Sequence, residues 1–191
     1  DDSSDGSSDG SSDGSSDGSS DGSSDGSSEG KEIASARAYV TGLGYYKLFL
    51  NGDRVGDHEL DPGFTVYDKT TLYATYDVTK ALRSGENVVG VSLGRGYFGQ
   101  TFPDDWAGEP WHDDTKLKLQ LDITYADGTT QQVVSDRTWS AADGPTTSDS
   151  VWMGESYDAR LEQPGWNAPR FDDSAWRPAA TVAGPGKDVA L

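Results

Sequence analysis

Residues 116–125 read KLKLQLDITY, so that Leu117, Leu119, Leu121 and Ile123 alternate with polar residues. Successive side chains of a β-strand point to opposite faces, and strict alternation therefore places the four apolar side chains on one face. The segment predicts a half-buried strand, with its apolar face against a core and its polar face in solvent. A chain with such a strand needs further strands to complete the sheet.

Shorter segments with strand character recur along the chain, separated by turns at intervals of about 8–12 residues. Two of the turns are Asn51-Gly52 and Asp127-Gly128, which are strong hairpin signals because both residue types tolerate positive φ. Many short strands with almost no helix predict an all-β protein, specifically a jelly-roll β-sandwich. The predicted strands are 36–40, 45–50, 53–57, 70–78, 87–93, 116–125, 129–135, 138–142, 151–153, 157–160 and 179–183.

The first thirty residues repeat Ser-Ser-Asp-Gly and contain no apolar side chain. Ser/Gly-rich chains behave as flexible coils, and regular aspartates extend them by self-repulsion. A calcium-binding repeat is disfavoured, because a four-residue spacing leaves no apolar position to build a stacked coil. We therefore expect a disordered linker at 1–32, a folded domain at 33–185 and a short tail at 186–191.

The chain is strongly acidic, with a formal net charge of −18, and it contains no cysteine. Phosphate binding needs clustered Lys and Arg, so the charge disfavours nucleic acid and anionic membranes as partners. No segment reaches the roughly 20 apolar residues of a membrane span. The missing cysteines exclude disulfides, Cys-ligated zinc and thiol nucleophiles.

One long segment between two predicted strands, residues 94–114, reads GRGYFGQTFPDDWAGEPWHDD. It is too polar and too interrupted by Gly and Pro to form a strand, and it has no helical period. Long loops inside a compact domain are usually functional. Aromatic rings among carboxylates suit a sugar, because rings cover C–H groups while oxygens bind hydroxyls or a cation that holds hydroxyls.

Nine short segments between residues 33 and 180 form a recognisable series. They are AYVTGLGYY (38–46), LNGDRVGD (50–57), LDPG (60–63), TYDVT (75–79), LGRGY (93–97), ITYADGT (123–129), GESYDAR (154–160), PGW (164–166) and FDDSAW (171–176). Together they resemble the N-terminal β-sandwich of bacterial α-L-rhamnosidases. The similarity is ordered along the whole domain, so we regard it as specific.

The resemblance implies a jelly roll of the galactose-binding-domain type. In some family members this domain is a rhamnose-binding module, carbohydrate-binding module family 67, in which a bound calcium bridges protein oxygens and vicinal sugar hydroxyls. Calcium takes six to eight oxygen ligands. The positions that match its ligands are Asp57, His58, Asp104, Asp105 and the backbone carbonyl of Pro110.

The resemblance and the composition of the long loop together predict a set of residues that contact the sugar. These are Asp57, Tyr97, Asp105, Trp106, Trp111 and His112. Alternatives stay open for several of them. The two tryptophans could instead close the end of the core, although in so polar a loop sugar stacking is favoured for at least one of them. The aspartates of the loop are also compatible with a solvated acidic loop, and Asp57 with the capping of a strand end.

Other residues are weaker functional candidates. Glu155 and Asp158 have the residue types of a glycosidase pair, but a single small sandwich implies no deep cleft, and pairing of Arg160 with one of them is preferred. Zinc at His58 and His112 is disfavoured because no convincing third protein ligand is present. The remaining tryptophans are expected to be structural: Trp139, Trp152, Trp166 and Trp176.

We therefore predict a non-catalytic, extracellular carbohydrate-binding module that recognises L-rhamnose or a related deoxy sugar with calcium. Its partners would be a rhamnose-containing glycan and a neighbouring catalytic domain, since the helical catalytic barrel of the family is absent from these residues. The alternative is a purely structural domain that braces the catalytic domain. That alternative is favoured by His58, which stands where the family has an oxygen ligand, and by a shorter loop at 104–110.

Overall fold

The computed structural model of the protein describes residues 30–101 and 108–186. Within these ranges the regular structure is β, apart from one 3-10 turn at Ala159–Leu161. No helix in the described part of the chain is long and apolar enough to cross a membrane. The strands are β1 (Ile33–Leu43), β2 (Tyr45–Leu50), β3 (Asp53–Val55), β4 (Ala74–Asp77), β5 (Val89–Gly94), β6 (Lys116–Tyr125), β7 (Thr130–Val134), β8 (Ser140–Ala141), β9 (Thr146–Ser150), β10 (Gly154–Tyr157) and β11 (Arg177–Pro178).

Two antiparallel sheets form the body of the domain. One has the strand order β4-β1-β6-β7 and the other β3-β2-β5. The order is not sequential, since β1 lies beside β6 and β2 beside β5, so connections cross between the sheets. Two further ribbons, β9-β10 and β8-β11, are also antiparallel. This is the all-β sandwich that the sequence predicts.

The core lies between the two sheets. In β6 the side chains of Leu119, Leu121 and Ile123 are buried, as their alternation predicts. They pack with apolar residues of the neighbouring β1 and of β2 in the facing sheet. Each fully buried Leu or Ile contributes about 1.5–3 kcal/mol relative to an exposed one, so this layer is a main source of stability. The β1 and β2 residues are Ala36, Ala38, Val40, Tyr46, Leu48 and Leu50.

The Asn51-Gly52 turn joins β2 to β3, and both residues have positive φ, 55° and 92°. Asn51 also fixes the turn to the following segments. Its Nδ2 donates to Ala81 O at 3.0 Å and to Asn87 Oδ1 at 2.8 Å, and its Oδ1 accepts from Val88 N at 2.9 Å. The hairpin prediction is confirmed, and the asparagine has a tertiary role in addition to its turn conformation.

Several predicted strands are wrong in extent or position. The strand expected at 70–78 is confined to Ala74–Asp77, because the backbone before it bonds to a side chain: Thr41 Oγ1 donates to Leu72 O. The segment 151–153 forms a turn instead of a strand, and 179–183 forms none, the last strand being Arg177–Pro178.

A second, smaller core lies at one end of the sandwich beneath the long loop. It consists of Leu43, Tyr67, Phe98 and Trp111. The ring of Phe98 is fully buried and lies 5.2 Å from the ring of Tyr67 and 6.2 Å from that of Trp111, centroid to centroid. This aromatic cluster anchors both ends of the loop that follows β5.

Candidate functional site

Trp111 does not have the exposure that sugar stacking requires. Its side chain is 3% exposed and packs against Phe98 and Tyr67. Large aromatic side chains gain most from burial, and here the indole closes the end of the core, which is the second of the two roles left open by the sequence. The prediction of Trp111 as a sugar contact is therefore corrected to a core position.

Tyr97, by contrast, is only half-buried and is in contact with two exposed rings. Its ring centroid is 5.1 Å from that of Phe64 and 6.0 Å from that of Trp152, both edge-to-face. Phe64 and Trp152 are 45% and 59% exposed. These three residues, from three separate segments of the chain, form what we call the aromatic surface.

Tyr97 is also one of three tyrosines that influence one another electrostatically. Burial, and then the proximity of Tyr97, raises the pKa of Tyr45; burial, and then both Tyr45 and Tyr97, raises the pKa of Tyr67 to about 12. The Tyr67 hydroxyl is buried and has no hydrogen-bond partner among the described residues. A neutral phenol both donates and accepts a hydrogen bond, so the half-buried Tyr45 and Tyr97 carry uncharged hydroxyls suited to a sugar, whereas Tyr67, at 1% exposure, belongs to the core.

A close backbone approach places Tyr45 beside the start of the long loop. Gly44 has φ 104°, and a Cβ at this position would lie 2.2 Å from Gly94 O. Any side chain is excluded there, both by that contact and by the positive φ. The first residue of β2 is therefore held against the end of β5, from which the loop carrying Tyr97 begins.

The loop that begins at Asp57 reaches the long loop through Phe64, whose ring contacts both Tyr97 and Trp111. The intervening residues are tied together by side chains. Arg54 Nη1 lies 2.6 Å from Glu59 Oε1, a hydrogen bond that lowers the pKa of that carboxyl. His58 Nδ1 lies 3.0 Å from Asp61 Oδ2. The two loops expected to share a site are thus adjacent.

His112 lies at the end of the long loop and is half-buried. Its Nε2 is 2.7 Å from Gln100 O. A carbonyl only accepts, so Nε2 carries a proton and donates it there. The Nε2 atom of His112, a predicted sugar contact, therefore forms a hydrogen bond within the loop. Nδ1 is the ring nitrogen that could bond to a sugar hydroxyl.

The carboxylates expected to bind calcium do not form a metal centre among the described residues. The Asp57 side chain is 99% exposed, and His58 Nε2 lies 3.9 Å from its Oδ1. Across 30–101 and 108–186, no group of three or more His, Cys, Asp or Glu side chains is placed to hold a metal ion. Pro110 lies in an exposed turn. Asp104, Asp105 and Trp106 lie outside the described residues.

In the GESYDAR segment, Arg160 pairs with a carboxylate, as the sequence predicts in preference to a catalytic role for Glu155 and Asp158. Arg160 Nε lies 2.8 Å from Asp158 Oδ1, and its Nη2 lies 2.5 Å from Oδ2. The bidentate pair lowers the pKa of Asp158. Asp158 also accepts from Arg160 N and so caps the 3-10 turn. Glu155 Oε2 is bonded at 3.4 Å by Thr146 Oγ1 across the ribbon.

Trp152 is more exposed than the other three tryptophans that the sequence predicts to be structural. Trp139, Trp166 and Trp176 are partly buried and structural; for example, Trp176 Nε1 donates to Gln163 Oε1. Trp152 instead projects from the turn between β9 and β10. The signal available in the sequence was its position between Ser150 and Gly154, two residue types that favour turns.

Comparison with known proteins places the chain in a family. The model of the "Alpha-L-rhamnosidase N-terminal domain" family matches residues 31–190. An alpha-L-rhamnosidase of Formosa agariphila is 40% identical over 165 residues, covering 83% of this chain and 17% of that protein.

Two solved structures have the same fold. The alpha-L-rhamnosidase from Dictyoglumus thermophilum matches with TM-score 0.74 and 43% identity, over 82% of this chain and 17% of that one. The Streptomyces avermitilis alpha-L-rhamnosidase complexed with L-rhamnose matches with TM-score 0.77 and 38% identity, over 83% and 15%.

The chain spans about one sixth of the length of its relatives: 17% of the Formosa agariphila protein, and 15% of an alpha-L-rhamnosidase of Streptomyces avermitilis that is 41% identical over 163 residues. It thus corresponds to one domain of these longer relatives. The family match covers well over half of the chain and agrees with the β-sandwich described above. The chain belongs to the alpha-L-rhamnosidase N-terminal domain family.

Proposed function

We propose that this domain is a non-catalytic carbohydrate-binding module that recognises L-rhamnose or a related deoxy sugar within a rhamnosidase-like protein. The observation that carries the proposal is the convergence at Tyr97 of exposed aromatic rings and neutral hydroxyl groups. The complex of the Streptomyces avermitilis relative with L-rhamnose supports the choice of sugar. A role outside the cell, beside a catalytic domain of the same protein, belongs to the same proposal.

The chemistry of the site suits a deoxy sugar. The methyl group at C5 and the C–H face of the ring are apolar and would pack on the ring of Tyr97 or Phe64. The hydroxyls of Tyr45 and Tyr97, which are both half-buried, would bond to the ring hydroxyls.

Calcium assistance is a separable part of the proposal. It rests on the family resemblance at Asp57 and at 104–110, because the described residues alone do not assemble a calcium site. The exposed Asp57 carboxylate has no role in the core, which leaves it available for a ligand or a cation.

The test is isothermal titration calorimetry with L-rhamnose, and affinity electrophoresis in gels that contain a rhamnose-rich polysaccharide. Binding is expected in both. Addition of millimolar EDTA is expected to abolish it. Unchanged binding in EDTA would contradict calcium assistance alone, and failure to bind any rhamnose-containing glycan would contradict the function.

A purely structural role is the second candidate, and one observation favours it. Most of the exposed large apolar side chains fall in two segments, 60–73 and 152–161. Exposed apolar surface is typical of a docking face for another protein domain. This alternative predicts no sugar binding by the wild-type domain, and the titration above therefore separates the two candidates.

A further inference from the structure

The turn between β9 and β10 is held rigidly against the long loop. Gln100 is fully buried, and its Oε1 accepts the backbone N–H of Val151 at 3.3 Å. Ser150 Oγ accepts the N–H groups of Trp152 and Met153, both at 3.2 Å. A turn fixed by side chains from two directions presents its tip residue in one orientation.

An ion pair fixes the strand that leads into this turn. Arg95 N donates to Asp149 Oδ2 at 2.6 Å, and Arg95 Nε lies 3.2 Å from Asp149 Oδ1. Arg95 begins the long loop, only two residues before Tyr97, so the pair locks β9 to the segment that carries the aromatic surface. The guanidinium has five N–H donors, and with 39% of its side chain exposed it offers some of them to solvent.

Burial of the Trp152 side chain contributes little to the stability of the fold. It is 59% exposed, and its ring meets Tyr97 at a centroid distance of 6.0 Å and an interplanar angle of 68°. Holding the turn in one conformation costs conformational entropy. The exposed indole of Trp152 buries little surface, so its burial does not offset that cost. The steep angle between the two rings means that one flat sugar cannot cover both faces, whereas two successive sugar residues of a bent glycan can.

We infer that Trp152 is a second sugar subsite, which stacks on the pyranose residue linked to the rhamnose that occupies the site at Tyr97. The inference rests on the proposed function and adds to it that the ligand is an oligosaccharide. The ligand class is a rhamnosyl glycan of at least two residues, with the apolar face of the second ring on the indole. Arg95 is placed to donate to hydroxyls at the junction between the two residues.

The test compares two probes, L-rhamnose and a rhamnosyl-glucose disaccharide, by calorimetry on the wild-type domain, Trp152→Ala and Trp152→Phe. The expected result for Trp152→Ala is that binding of the disaccharide weakens about tenfold more than binding of L-rhamnose, as for loss of one well-packed ring. Trp152→Phe, which keeps a ring, should recover part of the loss. Tyr73→Ala is the matched control, since Tyr73 is 67% exposed but lies beside Tyr39.

The outcomes distinguish the two proposals. If the wild-type domain binds both probes and Trp152→Ala binds the disaccharide as tightly as wild type, the subsite is wrong and the module stands. The exposed indole would then be a contact for another protein domain. If the wild-type domain binds neither probe, the proposed function fails, and the subsite fails with it. Circular dichroism of each variant checks that the fold is retained.

Discussion

The ring of Phe64 stands edge-to-face on the ring of Tyr97, with 5.1 Å between their centroids. Phe64 lies in the connection between β3 and β4, which also contains Asp57, and Tyr97 belongs to the long loop that follows β5. The contact therefore joins the two parts of the chain whose residues resemble the sugar-binding and metal-binding positions of the family. Phe64 is 45% exposed and Tyr97 is half-buried, so both rings keep part of their surface in solvent.

Tyr97→Ala is expected to weaken binding of L-rhamnose by about tenfold, equivalent to about 1.4 kcal/mol, through loss of a stacking face. Tyr97→Phe keeps the face and loses the hydroxyl, so a smaller loss is expected. Calorimetry on the three proteins checks this. Equal affinity of Tyr97→Ala and wild type would remove Tyr97 from the site.

Trp111→Ala is expected to destabilise the domain by about 3–5 kcal/mol, the usual cost of removing a buried aromatic side chain. Trp111→Phe, which fills much of the same volume, should fold and bind L-rhamnose like wild type. Urea unfolding and calorimetry give the two readouts. A stable Trp111→Ala with selectively lost binding would restore the sugar-stacking role that the buried position argues against.

Much of the fold could be predicted from the sequence, because the alternation of apolar and polar residues in a strand directly reflects which side chains are buried. At 116–125 the alternation of apolar and polar residues is the same property that buries Leu119 and Leu121. At 151–153 the same reasoning fails. Val-Trp-Met is an apolar run, yet a turn forms because Gln100, 51 positions away in the chain, bonds to Val151. A local pattern contains no information about such a contact.

The site was predictable only in part, for a similar reason. Its position on the two loops follows from composition and from the family resemblance. Which tryptophan is exposed does not, because Trp111 and Trp152 have similar local sequences rich in turn-forming residues. Their burial is decided by packing: Trp111 lies over Phe98 and Tyr67, and Trp152 lies at the tip of a hairpin.

Asp57→Asn is expected to leave stability unchanged, because the side chain is 99% exposed. If calcium contributes, the variant should bind L-rhamnose more weakly, and EDTA should have little further effect on it. Asp53→Asn, an exposed aspartate of β3 with the same charge change, is the control. Wild-type binding by Asp57→Asn would contradict a role for this carboxylate, whatever the effect of EDTA on the other proteins.

Asn51→Ala is expected to cost about 2–4 kcal/mol of stability. The variant loses three side-chain hydrogen bonds, leaves Val88 N without its partner and keeps a positive φ that alanine disfavours. Asn51→Gly tolerates the φ and loses the bonds, so its loss should be smaller. Urea unfolding of both variants separates the two contributions. Equal stability of Asn51→Ala and Asn51→Gly would mean that the positive φ at this position contributes nothing to the loss.

Asp127 caps the turn between β6 and β7. Its Oδ1 accepts from Thr129 Oγ1 and Thr129 N, and Lys31 Nζ lies 3.0 Å from its Oδ2. These contacts, with the Thr129 side-chain bond first, lower the pKa of Asp127 from 3.8 to about 2. A lowered folded-state pKa means that the ionised carboxylate stabilises the fold at pH values above 3.8, and that this stabilisation is lost as the pH falls toward 2.

The measurement is urea unfolding of wild type and Asp127→Asn at pH 6 and at pH 2.5. The variant keeps an acceptor oxygen but cannot ionise, so wild type should be the more stable at pH 6, with the difference shrinking at pH 2.5. Protonation of the other carboxylates affects both proteins alike and cancels in the comparison. Asp53→Asn controls for the loss of one negative charge. A difference between wild type and Asp127→Asn that is the same at both pH values would show that the charge of Asp127 does not stabilise the turn.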